Sequence, residues 1–95
     1  MTIFVVITPS LNAALAAKIE AVYPNDHFKV AENQFLISDN ATAIEVSTKL
    51  GIADPKNLYA PTVGTAVVFA TSSYYGRSPS AVWDWIKTKL APNNG

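Results

Sequence analysis

The run Ile3-Phe4-Val5-Val6-Ile7 constrains the fold of this chain more than any other stretch. All of it is apolar, and all but Phe4 is β-branched. A continuous apolar run has no polar side to give to water, so it packs as a central strand covered on at least one face. It is too short to cross a membrane and lacks the cationic leader of a signal peptide. Pro9 stops it, and Ser10 is a good N-cap for a helix. From Leu11 to Tyr23 the apolar positions Leu11, Leu15, Ile19 and Val22 recur at helical spacing until Pro24-Asn25.

The remaining elements are read from similar signals. Residues His27 to Asp39 read as a β-hairpin turning at Glu32-Asn33, with Val30 opposite Phe35 and Phe28 opposite Ile37. Those four side chains would form one apolar face, with Lys29 and Leu36 on the other. Thr42 and Glu45 stand at capping-box spacing, Ala43, Val46 and Leu50 form a buried stripe, and Gly51-Ile52 reads as a glycine C-cap. A connection over 53–64 leads to a fourth strand over Thr65 to Thr71. Ser78 and Pro79 then open a third helix that runs to about Leu90. The order β-α-β-β-α-β-α predicts an α+β fold: a ferredoxin-like βαββαβ antiparallel four-stranded sheet with two helices on one face, plus an additional C-terminal helix. One domain is expected over 1–91, with a flexible tail over 92–95.

Composition narrows the partners. Seven basic and seven acidic residues cancel, which argues against general nucleic-acid binding, because phosphate affinity rests on a surplus of Lys and Arg. Cysteine is absent, so disulfides, thiolate catalysis and cysteine metal sites are excluded, and a cytoplasmic location with no membrane association is expected. The βαββαβ order is shared with RNA-recognition motifs, but the third-strand segment over 33–38 lacks their glycine and basic charge. No GxxxxGK[ST] or GxGxxG pattern occurs.

The densest chemistry lies at the junction Ser72-Ser73-Tyr74-Tyr75-Gly76-Arg77, which carries the chain's single arginine. In the expected topology this junction shares one end of the sheet with Asp26, His27, Asp39 and Asn40. Thr8, Ser10, Glu32 and Asn33 occupy the other end. Arg77 beside the start of the third helix would suit an anion, and the tyrosines a ring. The competing structural reading packs the tyrosines beneath the loop and pairs Arg77 with Asp39 or Asp84. His27 with Asp26 or Asp39 would make an oriented acid–base pair. On the third helix Val82, Ile86 and Leu90 form the buried stripe. Trp85 falls outside it, either as an exposed interface anchor or packed with Trp83 at the rim.

The expected function is therefore a small non-enzymatic protein-interaction or regulatory domain. Ser72, Ser73, Tyr74, Tyr75, Arg77, His27, Asp39 and Trp85 are the candidate contact residues, a homodimer or protein complex the expected assembly, and no cofactor or metal is called for. Two alternatives stand beside it: a nucleotide or other anionic small molecule bound at Arg77, and a small enzyme using His27 or a tyrosine as acid–base.

Overall fold

Strand β1 (Thr2–Ile7) sends Phe4 and Val6 to one face of the sheet and Ile3 and Val5 to the other, so both faces need apolar cover. A computed structural model of the chain, which describes residues 1–57, 62–73, 76–77 and 80–90, supplies that cover from opposite sides. Helices α1 (Ala13–Val22) and α2 (Ala43–Lys49) place Leu15, Ile19, Val46 and Leu50 against Phe4, Val6, Phe35 and Ile37. Helix α3 (Ser80–Leu90) covers the second face, where Ile86 packs with Ile3 and Leu36 while Val82, Trp83 and Trp85 flank them. Each fully buried aliphatic or aromatic side chain in these layers contributes on the order of 1.5–3 kcal/mol of burial free energy.

The other strands are β2 (His27–Ala31), β3 (Gln34–Asp39) and β4 (Val67–Ala70). The fold is α+β, with a four-stranded antiparallel sheet in the order β2-β3-β1-β4 and three helices. No helix among the described residues is long and apolar enough to cross a membrane.

Local chemistry explains the element ends. In α2 the capping box is complete: the Glu45 amide donates to Thr42 Oγ1, and the Thr42 amide donates to the Glu45 carboxylate. At its other end Gly51 adopts φ +73°, its amide donates to the Thr48 carbonyl and the Ile52 amide to the Ser47 carbonyl. This is a Schellman closure, and it needs a residue that tolerates positive φ.

Four expectations are corrected. Helix α1 begins at Ala13 rather than Leu11, because Asn12 and not Ser10 is the cap. The Asn12 side chain accepts from the Leu15 amide and donates to the Val63 carbonyl, a contact from far along the chain. Leu11 is left exposed, outside the helix. The hairpin does turn at Glu32-Asn33, but a β-bulge between Lys29 and Ala31 shifts its register. Phe28 therefore lies opposite Leu36 and Lys29 opposite Phe35, which moves Phe28 to the α3 side of the sheet. Strand β4 is shorter than expected. Leu90, placed in the α3 stripe by its spacing, is exposed. The Ser78-Pro79 helix start and the 92–95 tail lie outside the described residues.

Candidate functional site

The strand register places the start of β1, the start of β2, the end of β3 and the end of β4 at one end of the sheet, since Thr2 lies opposite Asp39, His27 opposite Ile37, and Thr71 donates to the Ile3 carbonyl. Thr8 and Asn33 are hydrogen-bonded to each other at the opposite end. At the first end, the polar residues separate into two groups.

The β2–β3 side holds a hydrogen-bonded cluster. Asp39 Oδ2 accepts from the Tyr23 hydroxyl at 2.6 Å and from Lys49 Nζ at 2.8 Å, while Oδ1 accepts from the Asn40 amide. Burial works to raise the Asp39 pKa, but the hydrogen bonds from Lys49, Tyr23 and Asn40 outweigh it and hold the carboxyl below its usual value. Burial, together with the hydrogen bond and charge of Asp39, pushes the Tyr23 phenol well above its ordinary range. A phenol held protonated in this way serves as a donor and not as a base. The cluster joins the C-cap of α1 to the end of β3 and the last turn of α2, a structural clamp that takes up three of the four acceptor sites of Asp39, both of those on Oδ2 among them.

His27 belongs to the same side, but neither aspartate orients it. Its Nδ1 lies 2.6 Å from the Tyr23 carbonyl oxygen, which can only accept, so Nδ1 carries the proton. Asp26 instead accepts from Lys89 Nζ at 2.7 Å, and Lys89 also donates to the Asn25 carbonyl. The same ammonium lies 6.0 Å from the Trp85 ring centroid. Trp85 is half-buried, its ring 6.0 Å from that of Phe28, so this face of α3 is engaged in covering the sheet.

On the β4 side, Ser72, Ser73 and Arg77 are exposed and make no hydrogen bond or ion pair with other described residues. Tyr74 and Tyr75 lie outside the described residues, as do Ser78 and Pro79, on which an anion site at Arg77 would depend. Three strand spacings, about 14 Å, separate the β2 and β4 ends, so His27 and Ser72 share an end of the sheet without forming one compact site. Among the described residues no group of three or more His, Cys, Asp or Glu is placed to hold a metal ion.

The open chemistry of this molecule is instead the apolar surface along β4. This strand is the last in the sheet, with β1 as its one partner among the described residues. Phe69 lies opposite Val5, and Val67 opposite Ile7, on the face that α3 covers over β1 and β2. Phe69 and Val67 nevertheless remain 51% and 52% exposed, and Ile7 38%. On the other side of the strand a shallow groove of about 380 Å³, lined by Ala43, Ile44, Ser47, Pro55, Ala66 and Val68, runs between α2 and β4. Ile44 at its rim is exposed. Sequence reasoning placed Thr65–Thr71 in a strand but missed its open edge. A signal was present: no charged residue occurs from Asn57 through Gly76. Tyr23, Lys49 and Lys89 were also missed, because they reach their partners from helix ends. No protein-family model, curated protein or solved structure is significantly similar to this chain.

Proposed function

We propose that this chain is a non-catalytic interaction domain that takes up its partner by strand addition to β4, with the exposed Ser72, Ser73 and Arg77 continuing the contact beyond the end of that strand. The observation that carries the reading is the β4 edge itself: unpaired on one side among the described residues, uncharged along the strand, and bordered on both faces by exposed apolar side chains. Backbone groups at such an edge bind an extended segment through main-chain hydrogen bonds, and flanking apolar surface selects its alternate side chains. The Tyr23–Asp39–Lys49 clamp and the carbonyl partner of His27 favour binding over catalysis.

We read the scaffold as the ferredoxin-like βαββαβ arrangement with an added C-terminal helix. Its support is the order taken from the β4 edge, β4-β1-β3-β2, in which each βαβ unit leaves room for one strand of the other. Absence of cysteine supports work in a reducing compartment such as the cytoplasm.

The test uses an uncharged peptide of alternating threonine and valine as probe, read out by amide chemical shifts of the labelled chain. Perturbations should concentrate on residues 66–72. They should disappear in Ala70→Pro, which removes a main-chain donor from the outer side of the strand and leaves the β1 ladder intact. Perturbations centred elsewhere, or unchanged by Ala70→Pro in a folded variant, would overturn the reading.

A further inference from the structure

The free hydrogen-bonding groups of β4 can be assigned residue by residue. Thr71 donates its amide to the Ile3 carbonyl, which makes Ile3–Thr71 a hydrogen-bonded pair. Such pairs alternate along an antiparallel ladder, so Val5–Phe69 and Ile7–Val67 are hydrogen-bonded as well. The amides and carbonyls of Val68 and Ala70 therefore point outward from the sheet.

Resting on the strand-addition reading, we infer that the partner is a second copy of this chain, with β4 pairing antiparallel to β4 across a two-fold axis beside Phe69. In that register Val68 of one copy lies opposite Ala70 of the other, and the reverse, which gives four main-chain hydrogen bonds drawn from β4 alone. Phe69 meets its own counterpart at the centre as a non-hydrogen-bonded pair, the closer of the two pair types. Each ring then covers the other on the face where both were exposed, an aromatic cross-strand contact that favours this register.

Three features select a second copy over another partner. The chain has zero net charge and no charged residue between Lys56 and Arg77, so two copies meet at this edge without repulsion. A charged strand from elsewhere would find no complement there. The two edges of the sheet also differ. The bulge, Lys29 and Glu32 make β2 a poor acceptor, so β4 cannot add to β2 of the next copy and build an open chain. Pairing β4 with β4 closes after two copies.

Four hydrogen bonds and one phenylalanine pair form a small interface, near or below the roughly 1,200 Å² at the low end of stable complexes. The dimer is thus concentration-dependent. Sedimentation of the full chain from about 10 µM to about 1 mM, the range suited to an interface of this size, should show the mass rising toward twice the 10.2 kDa of the chain. Ala70→Pro and, independently, Phe69→Lys should remain monomeric. Because the chain has no cysteine, single-cysteine variants report one contact each. Phe69→Cys should cross-link under mild oxidation at least tenfold faster than Val67→Cys. The 69–69 pair sits about 4.5 Å apart between Cα atoms, whereas the 67–67 separation is about 13 Å along the strand. A wild-type chain monomeric at the highest concentration, or faster cross-linking through position 67, would overturn the inference. If the peptide still binds β4 while the chain stays monomeric, self-pairing alone fails. Loss of both results removes the strand-addition reading too.

Discussion

The two edges of this sheet solve the same problem in opposite ways. Strand β2 exposes a row of backbone groups to solvent, but it is bulged between Lys29 and Ala31, carries the Lys29–Glu32 ion pair, and has Trp85 and Lys89 of α3 drawn over Phe28 and Asp26. Among the described residues, strand β4 has none of these guards. Its ladder with β1 is regular, it has no proline or charge, and its outward apolar residues are half exposed. Natural sheets blunt the edges they do not use. Among the described residues this sheet guards one edge and leaves the other bare, and that contrast is what supports the proposal that β4 is the edge of contact.

The same truncation made on each edge should give the largest difference. Phe28→Ala removes a half-buried ring from the α3 layer, at an expected cost of about 2–3 kcal/mol, below the roughly 3–5 kcal/mol of fully buried phenylalanines. Phe69→Ala, measured at low concentration where the chain is monomeric, should cost less than about 1 kcal/mol, because much of its ring stays in water in the folded state. Equal losses in urea unfolding would mean that the β4 face is covered after all, and the comparison of edges would collapse.

A smaller effect tests the polar ties on the guarded side. Tyr23→Phe deletes one hydrogen bond to a carboxylate and should cost about 1.5 kcal/mol, the lower end for charge-assisted bonds, since Asp39 is partly solvated. The pH dependence has a definite sign. Asp39 is held below its unfolded value near 4, so its contribution is complete above that pH and is lost as pH falls through the lowered folded value. Tyr23 is raised above its unfolded value near 10, so its contribution is complete below that pH and erodes as pH climbs further. Stability measured from pH 2 to 11 should therefore lose the Tyr23 share of its alkaline decline, and part of its acid decline, in Tyr23→Phe. An unchanged profile would show that the bond carries no differential energy.

These contrasts also mark how far the sequence could be read. The element order was legible because Ile3–Ile7, the Leu15–Ile19 spacing and the Thr42/Glu45 box each state a local preference that packing then agrees with. The hairpin register was not, because the bulge near Val30 involves no glycine or other local mark and is favoured by what it achieves at a distance. It carries Phe28 to the face where Trp85 can meet it, which is also why Trp85 packs inward although the helical wheel set it apart. Ser10 reads as a cap from its side chain alone; Asn12 caps α1 instead, and its side chain is also tied to the Val63 carbonyl, a partner that local sequence does not show. Topology did bring His27, Asp39 and Ser72 to one end of the sheet. The order across that end, with β3 and β1 between β2 and β4, divided them into a hydrogen-bonded clamp and an open edge.

The smallest change in stability should come from giving β4 the guard that β2 already has. Phe69→Lys keeps the alkyl stem of the side chain along the strand and puts an ammonium into water, so monomer stability should move by no more than about 0.5 kcal/mol. Its effect on contact should be out of proportion to that. Two ammonium groups would face each other at the centre of a β4–β4 pair, where like charges directly opposite are unfavourable, and the ring-on-ring contact would be gone. Comparing Phe69→Lys with Lys29→Phe, the reverse exchange on the bulged edge, isolates charge from shape. If charge alone protects β2, Lys29→Phe should make that edge associate as well. If the bulge protects it, Lys29→Phe should leave sedimentation unchanged while Phe69→Lys abolishes self-association. The second outcome is the expected one, because the bulge misaligns the backbone groups of β2 whatever side chain stands at position 29.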